Sequence, residues 1–370
     1  MKIAMFGHKR VPSREGGVEV VVEELSARMA QLGHRVTCYN RAGHHVSGSA
    51  FDGETRTVHR GIRLKTVPTV DRRGLAAVTS SFFAALCTAF SDADVVHIHA
   101  EGPALFCWIP RLAGKRVVVT VHGLDWQRSK WKGGFAAKYI RLGEKAAVRF
   151  AHRIIVLSRN VQQYFLDTYG RETDYIPNGV VLPEPRRPEA IANLGLHKKN
   201  YILFLGRLVP EKCPDLLIRA WRAADTGKKL VIAGGASDSD AYAAELKTLA
   251  GEETDILFTG FVQGQLLEEL YSNAYAYVLP SDMEGMPLSL LEAMSYGNCC
   301  LVSDIPECAG VVGDCGMTFR TGDEADLRRK LQLLCGSGTL AAALGAAARE
   351  RVSLSYSWDD VTENTLELYQ

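Results

Sequence analysis

Short unbroken apolar runs alternate along this chain with longer stretches whose apolar residues recur every three or four positions. In the first half the runs are Lys2–Phe6, residues 35–39, Ile62–Val67, Val95–His99, Arg116–Val121 and Arg153–Val156. Strands buried on both faces of a parallel sheet read as continuous Val/Ile runs of this kind. Between the first two, residues 18–32 place Val18, Val21, Val22, Leu25 and Met29 at helical spacing. Pro177-Asn178-Gly179 and the polar, proline-bearing stretch 182–199 then read as a boundary and a linker. The alternation restarts with Tyr201–Leu205, residues 229–232, residues 256–258, Ala276–Leu279, residues 299–302 and Met317–Phe319. The pattern predicts an α/β protein of two doubly wound, Rossmann-like domains facing a cleft. In such sheets ligands bind beyond the carboxyl ends of the strands, which decides where chemistry should be sought.

Composition narrows the class. The 370 residues suit two domains, and 47% hydrophobic with 23% charged residues is ordinary for a globular chain. The charge-free stretch 75–91 holds Thr79, Ser80, Ser81 and Thr88, too polar and too short for a spanning helix of about 20 residues. The N-terminus has only four apolar residues before Gly7, too few for a signal peptide. Nine cysteines without a CxxC argue against a disulfide framework and a zinc ribbon, so a reducing cytoplasm is expected. Net charge is +1, but residues 1–178 hold 26 basic and 15 acidic side chains, a net of +11. Residues 179–370 hold 17 and 27, a net of −10. That asymmetry bears on partners rather than on fold.

Three segments lie where ligands should bind. Gly16-Gly17 open the first helix, where backbone amides suit a phosphate or a sugar; a plain turn into a helix reads equally well. Neither domain's first strand is followed by GxGxxG, and no Walker A sequence is present. Gly206-Arg207 and Lys212 bracket the loop after Tyr201–Leu205, where a guanidinium and an ammonium suit a diphosphate, unless they are merely a solvated pair. Residues 277–294 end a strand in a Gly-containing loop, Glu284-Gly285-Met286-Pro287-Leu288, with Pro287 as the expected first helical residue. Glu292, inside that helix, is placed to accept bonds from vicinal hydroxyls, and amides at 285–288 to meet phosphate; a loop charge and a solvent-facing helix residue are the plainer readings.

Three other features imitate metal sites. Asp92-Ala93-Asp94 looks like a DxD motif but precedes Val95–His99 and so sits at the wrong end of the strand. Asp238-Ser239-Asp240 is explained by helix capping. His97 and His99 share one strand face, with His97 expected to be buried and His99 to line the cleft. A metal would need a third ligand and a second shell, and none is expected.

The set G-R-x-x-x-E-K at 206–212 and E-x7-E at 284–292, within PSDMEGMPLSLLEAM, resembles the retaining glycosyltransferases of family 4. Gly16-Gly17, residues 120–123, 177–180 and 356–369 extend the resemblance over nearly the whole chain. It implies the GT-B fold: an acceptor domain over 1–178, rejoined by a C-terminal helix at 356–370, and a donor domain over 179–355. By resemblance, Arg207 and Lys212 hold the donor diphosphate, Glu284 faces the donor sugar and Glu292 the ribose. The amides of Gly285, Met286, Pro287's neighbour Leu288 and the Gly16-Gly17 and Gly206 turns then line the donor. His122 sits where family members place a histidine beside the donor sugar, although a turn-structuring histidine is the alternative. The following residues resemble a bacterial subgroup of surface-polysaccharide enzymes, which makes Asp125, Trp126 and Arg128, with His99, candidates for acceptor contacts.

The expected activity is metal-independent, cofactor-free transfer from a nucleotide-diphosphate sugar to an acceptor hydroxyl, with domain closure excluding water. A UDP-sugar is the default donor as the commonest one. The acceptor is a saccharide or a lipid-linked sugar of the cell envelope, and no nucleic-acid partner is expected. The competing readings are a sugar-nucleotide 2-epimerase and a non-catalytic sugar-nucleotide sensor. Basic residues at His8-Lys9-Arg10, Arg72-Arg73 and 128–132, with Trp126 and Trp131 among them and an expected amphipathic helix at 75–90, suit peripheral binding to an anionic membrane, against a solvated face with no partner.

Overall fold

The computed structural model describes residues 1–43, 56–72, 74–127, 134–235 and 240–370. The chain divides into two compact units, Met1–Asn178 with Trp358–Gln370, and Gly179–Ser357.

The first unit is built on β1 (Lys2–Phe6), β2 (Arg35–Arg41), β3 (Val58–His59), β4 (Ile62–Val67), β5 (Val95–His99), β6 (Arg116–Val121), β7 (Arg153–Val156) and β8 (Asp174–Tyr175). Their order in the sheet is β3-β4-β2-β1-β5-β6-β7-β8, parallel except for β3. The inner strands are those expected from the Val/Ile runs, because both their faces are covered: β5 is buried at every residue and β6 at all but its first. The edge strands β3 and β8 have two residues each and no such run to reveal them.

The second unit holds β9 (Tyr201–Leu205), β10 (Lys229–Ala233), β11 (Ile256–Gly260), β12 (Ala276–Leu279), β13 (Cys299–Ser303) and β14 (Met317–Phe319). Its all-parallel order is β11-β10-β9-β12-β13-β14. Strand order therefore reverses between β1 and β5 in one unit and between β9 and β12 in the other. Those are the crevices where doubly wound sheets take ligands. In each unit a glycine lets the chain pass close to a neighbouring strand end. Gly7 has φ +109°, and a Cβ there would lie 2.1 Å from the His99 carbonyl oxygen; Gly234 has φ +146°, with the Gly206 oxygen at 1.8 Å.

Several expectations change in three dimensions. The stretch 182–199 is not a free linker but part of the second unit. The buried Glu269 carboxylate accepts the N–H groups of Glu189 (2.8 Å) and Ile191 (3.1 Å), and Ile191 and Leu196 are buried. The closing helix runs from Trp358 to Glu367, and the residues just after it dock on the first sheet. The Tyr369 hydroxyl meets His97 Nδ1 at 2.6 Å, and Arg116 Nε donates to the Leu368 carbonyl at 3.0 Å. That helix carries Asp359, Asp360, Glu363 and Glu367 into the first unit. The unit's balance becomes 26 basic against 19 acidic, +7, and the second unit's 17 against 23, −6. The charge asymmetry is weaker than a cut at residue 178 implies.

Helix Leu75–Ala89 buries its small and polar side, Ser80, Ser81, Ala84, Ala85 and Thr88. The hydroxyls are satisfied by the helix's own carbonyls, as in Ser81 Oγ to Ala77 at 2.6 Å, so they pack closely at no cost in lost hydrogen bonds. The large apolar side chains consequently face outward.

Candidate active site

On the second unit, Gly206 and Arg207 leave β9 at the crevice, and a one-turn segment, Pro210–Lys212, carries Lys212. The loop after β12 lies against it: the Asp282 N–H donates to the Glu211 carbonyl at 3.1 Å. The juxtaposition makes a buried ion pair. Lys212 Nζ bonds Glu284 Oε1, with side-chain exposures of 14% and 7%. Ser281 Oγ donates to the same oxygen at 2.7 Å. Both bonds fall on Oε1, and Oε2 receives none among the described residues. The sequence placed Lys212 on a diphosphate and Glu284 on a sugar separately; the fold holds them together.

Pro287 is the residue before the helix Leu288–Ser295 rather than its first residue. Its ψ of 109° keeps it extended, so the helical turn starts at Leu288. Glu292 is held from the β11–β12 side: Tyr271 Oη donates to its Oε2 at 3.0 Å, and Tyr271 stacks on Tyr296 at 5.4 Å between centroids. Tyr277 Oη bonds Ser289 Oγ at 2.8 Å and the Leu205 carbonyl at 3.2 Å, tying this helix to the end of β9. Arg207, Glu284, Gly285 and the start of the helix thus share one edge of the unit.

On the first unit, β5 and β6 present three histidines in a row. His97 stacks on His99 (4.2 Å between centroids) and His99 on His122 (5.4 Å). His97 uses both ring nitrogens, on Tyr369 Oη and on Thr120 Oγ1 at 2.7 Å, which leaves neither for a metal. His99 does not line a cleft as expected. It is fully buried, because Gly7 brings β1 across its backbone. Its Nδ1 meets His122 Nε2 at 3.1 Å and its Nε2 has no partner. Burial lowers the pKa of His97 to about 3 and that of His99 well below the ordinary value, so both rings are neutral. His122, half-buried at the end of β6, is the member of the row nearest solvent. After β5 the backbone is strained: Ala100 has φ +77°, uncommon without glycine.

The turn after β6 is clamped by two carboxyl groups. Glu101 Oε2 accepts the Asp125 N–H at 2.8 Å. Glu144, on the helix Phe135–Phe150, accepts Trp126 Nε1 at 3.2 Å, Tyr164 Oη at 3.0 Å and the Tyr169 hydroxyl. Both glutamates are fully buried. Burial first, and then the neighbouring Glu144 carboxyl, raises the Glu101 pKa well above the usual carboxylate range, and its Oε1 is buried without a partner among the described residues. Arg141 lies over the Trp126 ring at 4.0 Å. Neither glutamate was a sequence candidate. The available signal was a carboxylate on the apolar face of its helix, among Ile140, Gly143, Ala146 and Ala147.

Gly16 precedes the helix Gly17–Gln31 in extended conformation, and the Glu19 carboxylate turns back to the Lys9 N–H at 2.8 Å. Asp92 pairs with Lys2 and Arg35, and Asp94 accepts the Lys2 N–H at 2.7 Å, so this acidic pair joins strand starts at the end of the sheet away from the crevice. Arg73, Arg128, Trp131 and Asp238 lie outside the described residues.

Each unit thus has a crevice at the reversal point of a parallel sheet, and the one on the second unit holds an Arg, a Lys–Glu pair and a helix start. Residues 15–183 match the model for Glycosyltransferase Family 4 and residues 186–351 that for Glycosyl transferases group 1. The chain belongs to the family 4 glycosyltransferases and is a glycosyltransferase of GT-B fold. A curated relative is the GDP-mannose-dependent alpha-(1-6)-phosphatidylinositol monomannoside mannosyltransferase of Mycobacterium tuberculosis (strain CDC 1551 / Oshkosh). It is 28% identical over 388 residues, covering 94% of this chain and 93% of that protein. Sucrose-phosphate synthase of Thermosynechococcus elongatus shares the fold at TM-score 0.83 and 21% identity, over 100% of this chain and 98% of that one. Anabaena HepE, solved with UDP and glucose, does so at TM-score 0.80 and 17% identity, over 99% and 98%.

Proposed function

We propose that this glycosyltransferase moves a sugar, with retention at the anomeric carbon and without a metal, from a nucleotide-diphosphate sugar to an acceptor hydroxyl. The observation that carries this reading is the arrangement on the second unit, where Arg207 and the Lys212–Glu284 pair meet at the β9/β12 crevice. A guanidinium and an ammonium there offer the charge that a departing diphosphate needs, as a divalent ion would. Glu284 Oε2, free of other bonds among the described residues, accepts from a donor-sugar hydroxyl. Glu292 is held for the ribose, with Met286 and Leu288 beside the phosphates. His122, by its place in the family motif, is the first unit's candidate for a donor-sugar contact. In this reading the acceptor proton passes to the leaving phosphate on the same face. HepE's complex with UDP and glucose makes UDP-glucose the first donor to test, and the GDP-mannose-dependent relative makes GDP-mannose the second.

Incubation with each donor, with and without EDTA, should release nucleoside diphosphate and yield an α-linked or α-configured product, with EDTA without effect. An epimerised nucleotide sugar would identify an isomerase instead, and binding without turnover a sensor.

The acceptor is a saccharide carried on a lipid or lipid diphosphate of the cell envelope, met at the inner membrane face by the first unit. Supporting this is the outward apolar face of helix Leu75–Ala89. Leu75, Phe82, Phe83 and Phe90 are exposed beside Trp108 and Leu112 on the neighbouring helix, and Phe82 lies 5.6 Å from both Phe83 and Phe106. Arg72 and Arg111 are exposed close by in the chain. Among the described residues no single helix is long and apolar enough to cross a membrane, which is compatible with a surface contact. Co-sedimentation with anionic vesicles at low salt should be strong, and should weaken about tenfold or more for Phe83→Ser with Leu112→Ser, since each large apolar side chain buried contributes about 1.5–3 kcal/mol. Equal recovery of parent and variant would remove the membrane from this reading.

A further inference from the structure

The histidine row on β5 and β6 does more than pack. His99 is wholly buried, and its ring meets two others, His97 and His122, each 29° from parallel. His97 is fixed, because Tyr369 Oη and Thr120 Oγ1 hold its two ring nitrogens. His99 makes one polar contact with its own ring, Nδ1 to His122 Nε2 at 3.1 Å. Its Nε2 is buried with no partner among the described residues.

Those contacts decide where the hydrogens sit. Burial keeps His99 neutral, so its ring has one N–H and one lone pair. With the hydrogen on Nε2, a buried N–H would have no acceptor, a fault that folded chains seldom carry. With it on Nδ1, His122 satisfies it, and the atom left unpaired is only a lone pair. His99 Nδ1–H therefore donates to His122 Nε2. A neutral imidazole that accepts at Nε2 carries its own hydrogen on Nδ1. The Nε2 lone pair of His122 is engaged, and what this ring offers a ligand is an N–H.

We propose that His99 is a positioning residue: its Nδ1–H fixes the orientation of His122 and its Nδ1–H tautomer, so that His122 meets an oxygen of the donor sugar as a neutral donor and not as a base. An imidazole thus orients an imidazole, as carboxylates and carbonyls orient the histidines of metal sites. The contact with the sugar rests on the transfer reading above; the tautomer does not.

The test uses the full chain with isotope-labelled histidine, at a pH above the ordinary histidine range. The His122 ring-nitrogen signals are identified by their loss in His122→Asn. In the parent, His122 should be protonated at Nδ1 and bare at Nε2. His99→Leu stays apolar and has no donor, so a share of His122 should take the Nε2–H form. Its kcat/KM for UDP-glucose, or for GDP-mannose if that is the donor turned over, should fall about threefold to tenfold, as for one lost hydrogen bond. Affinity for UDP or GDP, which lack the sugar, should not move. His99→Asn places an amide N–H near the Nδ1 position and should restore the tautomer and most of the rate. Tyr369→Phe loosens His97 and should cost stability yet leave the His122 tautomer alone, which separates positioning from general damage to the row. A parent His122 protonated at Nε2, a tautomer unchanged in His99→Leu, or an unchanged rate in that variant overturns the proposal. The parent spectrum decides the tautomer even if His99→Leu does not fold. If neither nucleotide sugar turns over, the transfer reading fails, and the ring-nitrogen shifts still show whether His99 sets His122.

Discussion

Replacing Lys212 by Met is expected to lower the transfer rate by about 10²–10³-fold, the usual loss when one preorganised donor to a developing charge is removed. It should also cost stability, for a different reason. Glu284 would keep its buried carboxylate with only Ser281 to bond it, and removing one partner of a buried ion pair costs about 3–5 kcal/mol. Adding Glu284→Gln should restore most of that stability, since an uncharged amide needs no counter-ion. It should not restore transfer. Urea unfolding and nucleoside diphosphate release, measured on the parent, both single variants and the double, separate the two effects. Arg207→Ala should lose transfer comparably. Full activity in both Arg207→Ala and Lys212→Met would refute the diphosphate assignment, whatever happened to stability.

Glu144→Gln and Glu101→Gln should differ sharply, although the two carboxyl groups clamp the same turn. Glu144 accepts from an indole and two phenols, so it needs two accepting oxygens. An amide turns one of them into a donor facing donors, and about 2–4 kcal/mol of stability should be lost. The neutral form is the one favoured at Glu101, whose pKa is raised by burial, and glutamine keeps that neutrality with one oxygen for the Asp125 N–H. That variant should lie within about 1 kcal/mol of the parent.

The pH dependence has a definite sign. The folded-state pKa of Glu101 is raised above the ordinary 4.5. Its contribution is therefore complete below about pH 4.5 and declines as pH rises toward the folded-state value. Glu101→Gln lacks that decline and should gain on the parent between about pH 5 and about pH 8, by denaturant unfolding. A constant difference across that range would mean that Glu101 is ionised in the fold. Because Asp125 and Trp126 hang on this pair, Glu144→Gln should also raise the acceptor KM while leaving donor hydrolysis intact.

Much of the fold is legible in the residues themselves. The inner strands show as unbroken Val/Ile runs because both faces of each sheet are covered, whereas β3 and β8, two residues long at an edge, have no pattern to show. The stretch 182–199 reads as linker because only Ile191 and Leu196 are buried there and its backbone is held by Glu269, some 80 positions away. Helix Leu75–Ala89 is legible as a helix, but not which side it buries, since back-bonded serines can be turned inward while phenylalanines stay out.

The site divides along the same line. The kinds of residue at the strand ends, Arg207, Lys212, Glu284, Glu292 and His122, were written in the chain, with the spacing that carries the family resemblance. Which of them meet, and in what protonation state, was decided only in three dimensions. Lys212 and Glu284 are 72 positions apart and become one ion pair. His99 is neutral because Gly7 lets β1 cover it, and the Glu101 pKa is raised first by burial and then by the neighbouring Glu144 carboxyl. Side-chain type and periodicity are local properties. The energy of a charge depends on its distance to other charges and on the water it loses, and both are set when the chain folds.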